Sequence, residues 1–317
     1  MEKLLKQTES YSLLTSTFIV GKIRITLMEK FHDAHKKFID HLNSQKRSSA
    51  TVLAYGKDIE QLKEFLSDLK KNNVPEITTK DLQTFMAKLQ KEGYTPKSIS
   101  RKTNSTKTFF RFLKINDFIT DDPAILLEHP KFEMKPPRIL NKMEYRALRD
   151  AARDDVRISA IIELLLQTGI RIGELSKLKV DDAKYSNTGK PGELNVPAGE
   201  SYPARTVPLN KAAETSLKKY IEIRPKTKEA TLFVTKTGRP LLVRNIRTAI
   251  DRYFKLAGIR DAKVNDLRHT FVAHHLMSGT SLVLVSKLAG HKRLATTEKY
   301  LNLIQGRLEE PIKLNEL

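Results

Sequence analysis

The sequence predicts a mainly helical protein with one small β-sheet, built as two modules on either side of a linker. Three observations carry that expectation. Apolar residues between positions 29 and 129 recur at helical spacings of three and four. A proline-bearing, apolar-poor stretch occupies residues 130–138. Beyond it, helical runs are interrupted by two strand-like runs, separated by Gly199-Glu200-Ser201. A chain of 317 residues is long enough for each module to bury its own core.

Taken in order, residues 1–28 form an N-terminal extension. There Phe18, Val20, Ile23, Ile25 and Leu27 alternate as in a strand, with a break at Gly21. Residues 29–129 form the helical module, in which Phe31, His35, Phe38 and Leu42 follow at intervals of 4, 3 and 4. Leu53, Ile59, Leu62, Phe65, Leu66 and Leu69 continue the pattern until Asn72-Asn73-Val74-Pro75 breaks it. Thr79-Lys80-Asp81 reads as the cap of a helix running to Leu89, and Gly93-Tyr94-Thr95-Pro96 opens another. Residues 130–138 hold three prolines with Lys131, Glu133 and Lys135, an extended linker. In residues 139–317 a helix spans 143–152 and another ends near Leu166; strands follow at Gly192–Val196 and Arg205–Leu209. Helices then resume, with a C-terminal tail from about residue 303.

Lys and Arg number 57 against 37 Asp and Glu, a net charge of +20, and this points to a polyanionic partner, nucleic acid first. The absence of cysteine excludes a disulfide scaffold, thiolate-held metal and thiol catalysis. No run approaches the roughly 18 uncharged apolar residues of a membrane span, and the N-terminus lacks a small-residue cleavage pattern, so a cytoplasmic location without membrane attachment is expected. Between Thr95 and Ile115 every charge is positive. Lys97, Arg101, Lys107, Arg111 and Lys114 share one arc of roughly 140° on a helical wheel. Ile99, Thr106, Phe109, Phe110 and Leu113 lie opposite, and Phe112 falls outside that apolar arc. These five cations are the expected DNA-phosphate contacts.

Four segments of the second module carry candidate chemistry. In Thr168-Gly169-Ile170-Arg171-Ile172-Gly173-Glu174-Leu175, an apolar helix ends at Gly169 and Arg171 opens the next, where a guanidinium and backbone N–H groups suit a phosphate. Arg268 and His269 sit in Asn265-Asp266-Leu267-Arg268-His269-Thr270-Phe271. Gly290 closes a helix begun near Ser281, with His291 directly after it, and Tyr300 ends a helical Thr296-Thr297-Glu298-Lys299-Tyr300.

This order, Arg171, then Arg268-His269, then Gly290-His291, then Tyr300, resembles the tyrosine recombinase (phage integrase) family, nearest its Xer-type and integrase branch. The spacings are 23 residues from Arg268 to His291 and nine more to Tyr300. The resemblance implies that residues 29–129 are a core-binding domain and 139–317 a catalytic domain, which together clamp double-stranded DNA at a specific recombination site. It further implies that Tyr300 attacks the phosphorus to give a 3′-phosphotyrosyl link and a 5′-hydroxyl. Arg171, Arg268 and His291 would hold the non-bridging oxygens. Such a reaction uses neither a metal nor a cofactor. By the same resemblance the tail reaches a neighbour in a homo-tetramer formed on DNA by a chain that is monomeric in solution; folding back on its own domain stays open.

Two positions depart from the family pattern. The position three residues before the second arginine, usually His, is Asn265, which cannot relay a proton. The hairpin position usually occupied by Lys falls at Glu200, with Lys190 a poor geometric substitute. His269 reads as structural and Glu174 as a carboxylate that orients an arginine. The leading expectation is a site-specific recombinase acting in integration, excision or resolution of a mobile element or replicon. Two alternatives remain: a DNA-binding protein of this fold with weakened catalysis, and a type IB topoisomerase-like relaxing enzyme.

Overall fold

The computed structural model describes residues 17–20, 23–26, 30–133, 136–188, 190–200 and 202–304. The chain separates into two compact units, Met1–Met134 and Lys135–Leu317. Leu27 of the expected N-terminal alternation, Lys135 of the linker, and the tail beyond residue 304 lie outside the described residues.

In the first unit, β1 (Thr17–Val20) and β2 (Ile23–Thr26) pair antiparallel, Val20 opposite Ile23. Four helices follow: α1 (Phe31–Ser44), α2 (Ser49–Asp68), α3 (Thr79–Lys91) and α4 (Pro96–Ile115). Their starts follow cap chemistry. Ser48 and Thr95 accept from backbone N–H groups three residues on, and Thr78 forms a reciprocal box with Asp81, one residue ahead of the expected cap. The core is aromatic: Phe31 and Phe38 meet Phe109 at centroid distances of 5.1 and 5.2 Å. Phe112 belongs to this core rather than to solvent, because Phe38, His41 and Phe118 close over it. A helical wheel of one helix cannot see that second wall.

The second unit opens with α5 (Lys142–Ala151) and α6 (Val156–Thr168). Helix α6 is apolar nearly all round because it is buried nearly all round; its Glu163 is met bidentately by Arg149 at 2.8 and 2.8 Å. The short α7 (Ile172–Leu175) leads to a three-stranded antiparallel sheet in the order β3 (Ala183–Lys184), β4 (Gly192–Val196), β5 (Arg205–Leu209). The two longer strands have the expected bounds; β3 is added by the structure. The register of β4 and β5 sets Val196 opposite Arg205 and Gly192 opposite Leu209, with Leu194, Val196, Val207 and Leu209 buried. Helices α8 (Lys211–Ile223), α9 (Val243–Leu256), α10 (Val264–Met277) and α11 (Leu282–Ala289) follow. Two one-turn helices, α12 (Ala295–Glu298) and α13 (Leu301–Ile304), end the described chain. Tyr300 therefore lies in the turn between two short helices instead of at the end of one. It packs in a separate apolar cluster with Phe271, Val272, Leu276, Val285, Ala289 and Ile304. Among the described residues no helix is long and apolar enough to cross a membrane.

Candidate active site

Helix ends deliver the polar groups. Gly169 terminates α6 at φ +60°, a left-handed conformation that costs a non-glycine residue, and a side chain there would run into the Phe271 ring. The turn lets the next residues point Arg171 and the Gly169 carbonyl to one place. Gly290 ends α11 in the same way at φ +67°, so that His291 follows a sharp reversal; a Cβ there would stand 2.7 Å from Arg205 Nη1.

One buried carboxylate organises the site. Glu174 accepts from the Arg171 backbone N–H at 2.7 Å and from Arg171 Nη1 at 3.0 Å. Arg205 closes on it bidentately, Nη1 at 3.0 and Nη2 at 2.7 Å, and gives Nε to the Leu288 carbonyl at 2.7 Å. Burial pushes the Glu174 carboxyl up, but the Arg205 hydrogen bonds, the Arg171 N–H and both positive charges outweigh it and hold it below the usual range. The orienting role expected of Glu174 thus extends to two arginines. Arg171 also donates Nη2 to the Gly290 carbonyl at 3.2 Å, which ties the α6–α7 turn to the loop bearing His291.

Arg268, on α10, is 6% exposed and donates Nη1 to the Gly169 carbonyl at 2.5 Å, while its Nη2 is buried and has no partner among the described residues. Burial lowers this guanidinium to about 9, with Arg171 and Arg205 pushing the same way and Glu174 and Tyr300 opposing. His291 Nδ1 shares a 2.7 Å hydrogen bond with Thr297 Oγ1. Burial, then Arg268, Arg171 and Arg205, lower its imidazole to about 4. Tyr300 is 4% exposed, and its hydroxyl lies 2.5 Å from His269 Nδ1. Burial raises the phenol above its ordinary range against the pull of Arg268 and Arg171, so both cations act on it electrostatically within its own subunit.

The structure thus gathers Arg171, Arg268, His291 and Tyr300 around one centre. Asn265 is exposed, one turn before Arg268. Glu200 is exposed beside the Gly199–Tyr202 bridge, within the β4–β5 connection as the count back from Arg205 requires. No lysine occurs in residues 197–204. Lys190 bridges to Asn187 ahead of β4, away from that connection. His269, expected to be structural, touches the tyrosine hydroxyl.

On α4, Lys97, Arg111 and Lys114 are exposed. Arg101 is partly withdrawn from the expected stripe because its guanidinium ion-pairs with the buried Asp58, and Lys107 is half-buried with Nζ on the Ile125 carbonyl at 3.2 Å. Two features escaped the sequence reading. In the sequence Arg205 reads only as the first residue of a strand. Exposed Arg244, Arg247, Arg252 and Lys255 share one face of α9, where Asp251 interrupts the run of positive charge.

Residues 138–306 match the phage integrase family, and residues 36–116 match the phage integrase N-terminal SAM-like domain. The chain is 31% identical to the tyrosine recombinase XerC of Alcanivorax borkumensis over 278 residues, covering 84% of this chain and 88% of that one. It is 30% identical to the tyrosine recombinase XerD of Listeria innocua over 295 residues, covering 89% and 98%. A crystal structure of a lambda integrase dimer bound to a COC′ core site superimposes with a TM-score of 0.70 at 20% identity, over 90% of this chain and 80% of that one, a likeness of fold.

Proposed function

Because this chain belongs to the phage integrase family of tyrosine recombinases, enzymes that cut and rejoin DNA strands, we propose that it performs site-specific recombination through a 3′-phosphotyrosyl intermediate formed on Tyr300. The observation that carries this reading is the buried Arg268 Nη2, which has no partner among the described residues and stands in the same cluster as Arg171 and Arg205, the two guanidiniums bonded to Glu174. Buried donors without acceptors are costly, and an anion relieves the cost. A DNA phosphate is an anion of the right shape for forked donors.

In the reaction, Arg171 and Arg268 hold the non-bridging oxygens and stabilise the charge that grows on them in the transition state. His291, neutral near pH 7, donates Nε2–H to the same oxygens in the tautomer whose Nδ1 accepts from Thr297. Glu174 and Arg205 fix the angle of Arg171 and of the Gly290–His291 loop. Lys97, Arg111 and Lys114, with Arg101 and Lys107 in part, contact DNA phosphates from the first unit. Four copies act together on a recombination site. Integration, excision and resolution use the same chemistry, and the sequence of the bound site distinguishes them.

A second reading, a DNA binder with weakened catalysis, is favoured by Glu200 in the hairpin and Asn265 on α10. One experiment separates the two. The full chain is incubated with fragmented genomic DNA of its source organism, denatured in SDS, and the protein-linked DNA is sequenced. The recombinase reading expects adducts focused on one short inverted repeat and absent in Tyr300→Phe; DNA retention without any adduct supports the binder. Adducts spread over all sequences support a topoisomerase-like activity.

A further inference from the structure

We propose, building on the reading that Tyr300 cuts DNA, that His269 is the general base that removes the Tyr300 hydroxyl proton. The two side chains are in direct contact, Nδ1 to Oη at 2.5 Å with ring centroids 5.8 Å apart. A phenol attacks a phosphodiester as its proton leaves, and an acceptor must stand within roughly 3.2 Å to take it. Asp266 accepts the Lys263 backbone N–H at 2.8 Å, and the remaining candidates fail on chemistry or placement. Asn265 has no proton-accepting nitrogen and is exposed. His291 is engaged with Thr297 through Nδ1 and surrounded by guanidiniums. Glu200 lies in the β4–β5 connection and is exposed.

His269 also has the surroundings a base needs. Burial keeps its imidazole neutral near pH 7, leaving a ring nitrogen able to accept. Asp266, one turn earlier on α10, works in the opposite direction and steadies the imidazolium once the proton arrives, while Arg268 limits how basic the ring becomes. Adjacent residues on a helix are turned by about 100°, so α10 sends Arg268 toward the phosphate and His269 toward the nucleophile. One helix thereby couples the electrophile to its attacker.

The Tyr300 O–H bond breaks and its proton goes to His269 Nδ1; the tyrosyl oxygen bonds to phosphorus. The bond from phosphorus to the 5′ oxygen breaks, its electron pair leaves with that oxygen, and water supplies the oxygen's proton. On rejoining, a 5′-hydroxyl gives its proton to water and attacks phosphorus, the tyrosyl oxygen departs, and His269 returns its proton.

The test uses the full chain and a nicked duplex carrying the site recovered from the adduct sequencing above. His269→Ala and His269→Asn are each expected to slow adduct formation about 100-fold at neutral pH while still retaining DNA. Free imidazole should restore part of the rate of His269→Ala, and raising the pH should narrow the gap for both variants. His269→Asn keeps a polar group near the Nδ1 position, so a loss shared by both variants, with native melting curves, is not unfolding. Adduct formation at the native rate overturns the proposal. So does faster formation, which would make His269 a latch, and so does a slow rate that neither imidazole nor pH improves, which would leave it a packing role. If the native chain forms no adduct at all, the strand-cutting reading fails and takes the base with it; a native adduct with an unaffected variant removes the base alone.

Discussion

Asp58 in the helical unit and Glu174 in the catalytic unit are both buried carboxylates, 2% and 1% exposed, and each is gripped by two basic side chains. Their networks end differently. Around Asp58, Arg101, Lys102 at 2.9 Å and the Ser105 hydroxyl at 3.1 Å all converge on the carboxylate. Lys102 spends its remaining capacity on Gln61 Oε1 at 2.6 Å and on the Tyr94 ring. That network is closed, and it pins α2 to α4. Around Glu174, Arg171 and Arg205 are both bonded to the carboxylate, yet a third guanidinium, Arg268, stands by with a buried nitrogen that has no partner among the described residues. The lesson is that buried charge by itself does not mark a functional site. What differs around Glu174 is a third guanidinium with a buried nitrogen, Arg268 Nη2, left over within a cluster of arginines.

Removing the key group of each network separates their roles. Asp58→Ala strands Lys102 in the core without its counter-charge and should cost about 3–5 kcal/mol. Denaturant unfolding of the full chain should show the first unit's transition shifted down. An unshifted transition would mean that the network is not a structural staple.

Arg268→Met should do the reverse. It removes an under-partnered buried charge, so thermal stability should hold or rise, while adduct formation on a nicked site should fall roughly 10²- to 10³-fold. A large loss of stability with little loss of rate would make Arg268 the catalytic unit's equivalent of Lys102.

The smallest effect concerns pH. His291 is lowered to about 4 in the folded chain, against an unfolded value near 6.5. Between those values the unfolded chain binds more protons, so this residue's contribution is present above about pH 6.5 and is lost as the pH falls toward 4. His291→Asn should flatten the stability profile across that window, and phosphate-bearing DNA should also flatten it by raising the imidazole's affinity for protons. An identical pH profile in native and variant chains would place His291 outside the arginine cluster.

Much of the architecture was legible because it is local. The bounds of β4 and β5 follow from alternation and turn residues, and the stops at Gly169 and Gly290 from the one residue type that tolerates a left-handed turn. Arg171, Arg268, His291 and Tyr300 could be picked out because their order and spacing resemble a known pattern. The errors share a cause. Phe112 falls outside the apolar arc of α4 because α1 and Phe118, not α4 itself, cover it. Arg101 looked free because its partner Asp58 lies 43 residues away.

Most helices, the two longer strands, the glycine stops and the positive charge of α4 therefore follow from neighbours three or four residues apart, whereas β3, the turn that holds Tyr300 and the basic face of α9 do not. Which charges are consumed and which are left over depends on contacts between residues far apart along the chain. Arg205 reaches Glu174 across 31 residues, Arg268 reaches the Gly169 carbonyl across 99, and His269 reaches Tyr300 across 31. Such pairings are set by how separate elements pack, and no periodicity along the chain encodes them.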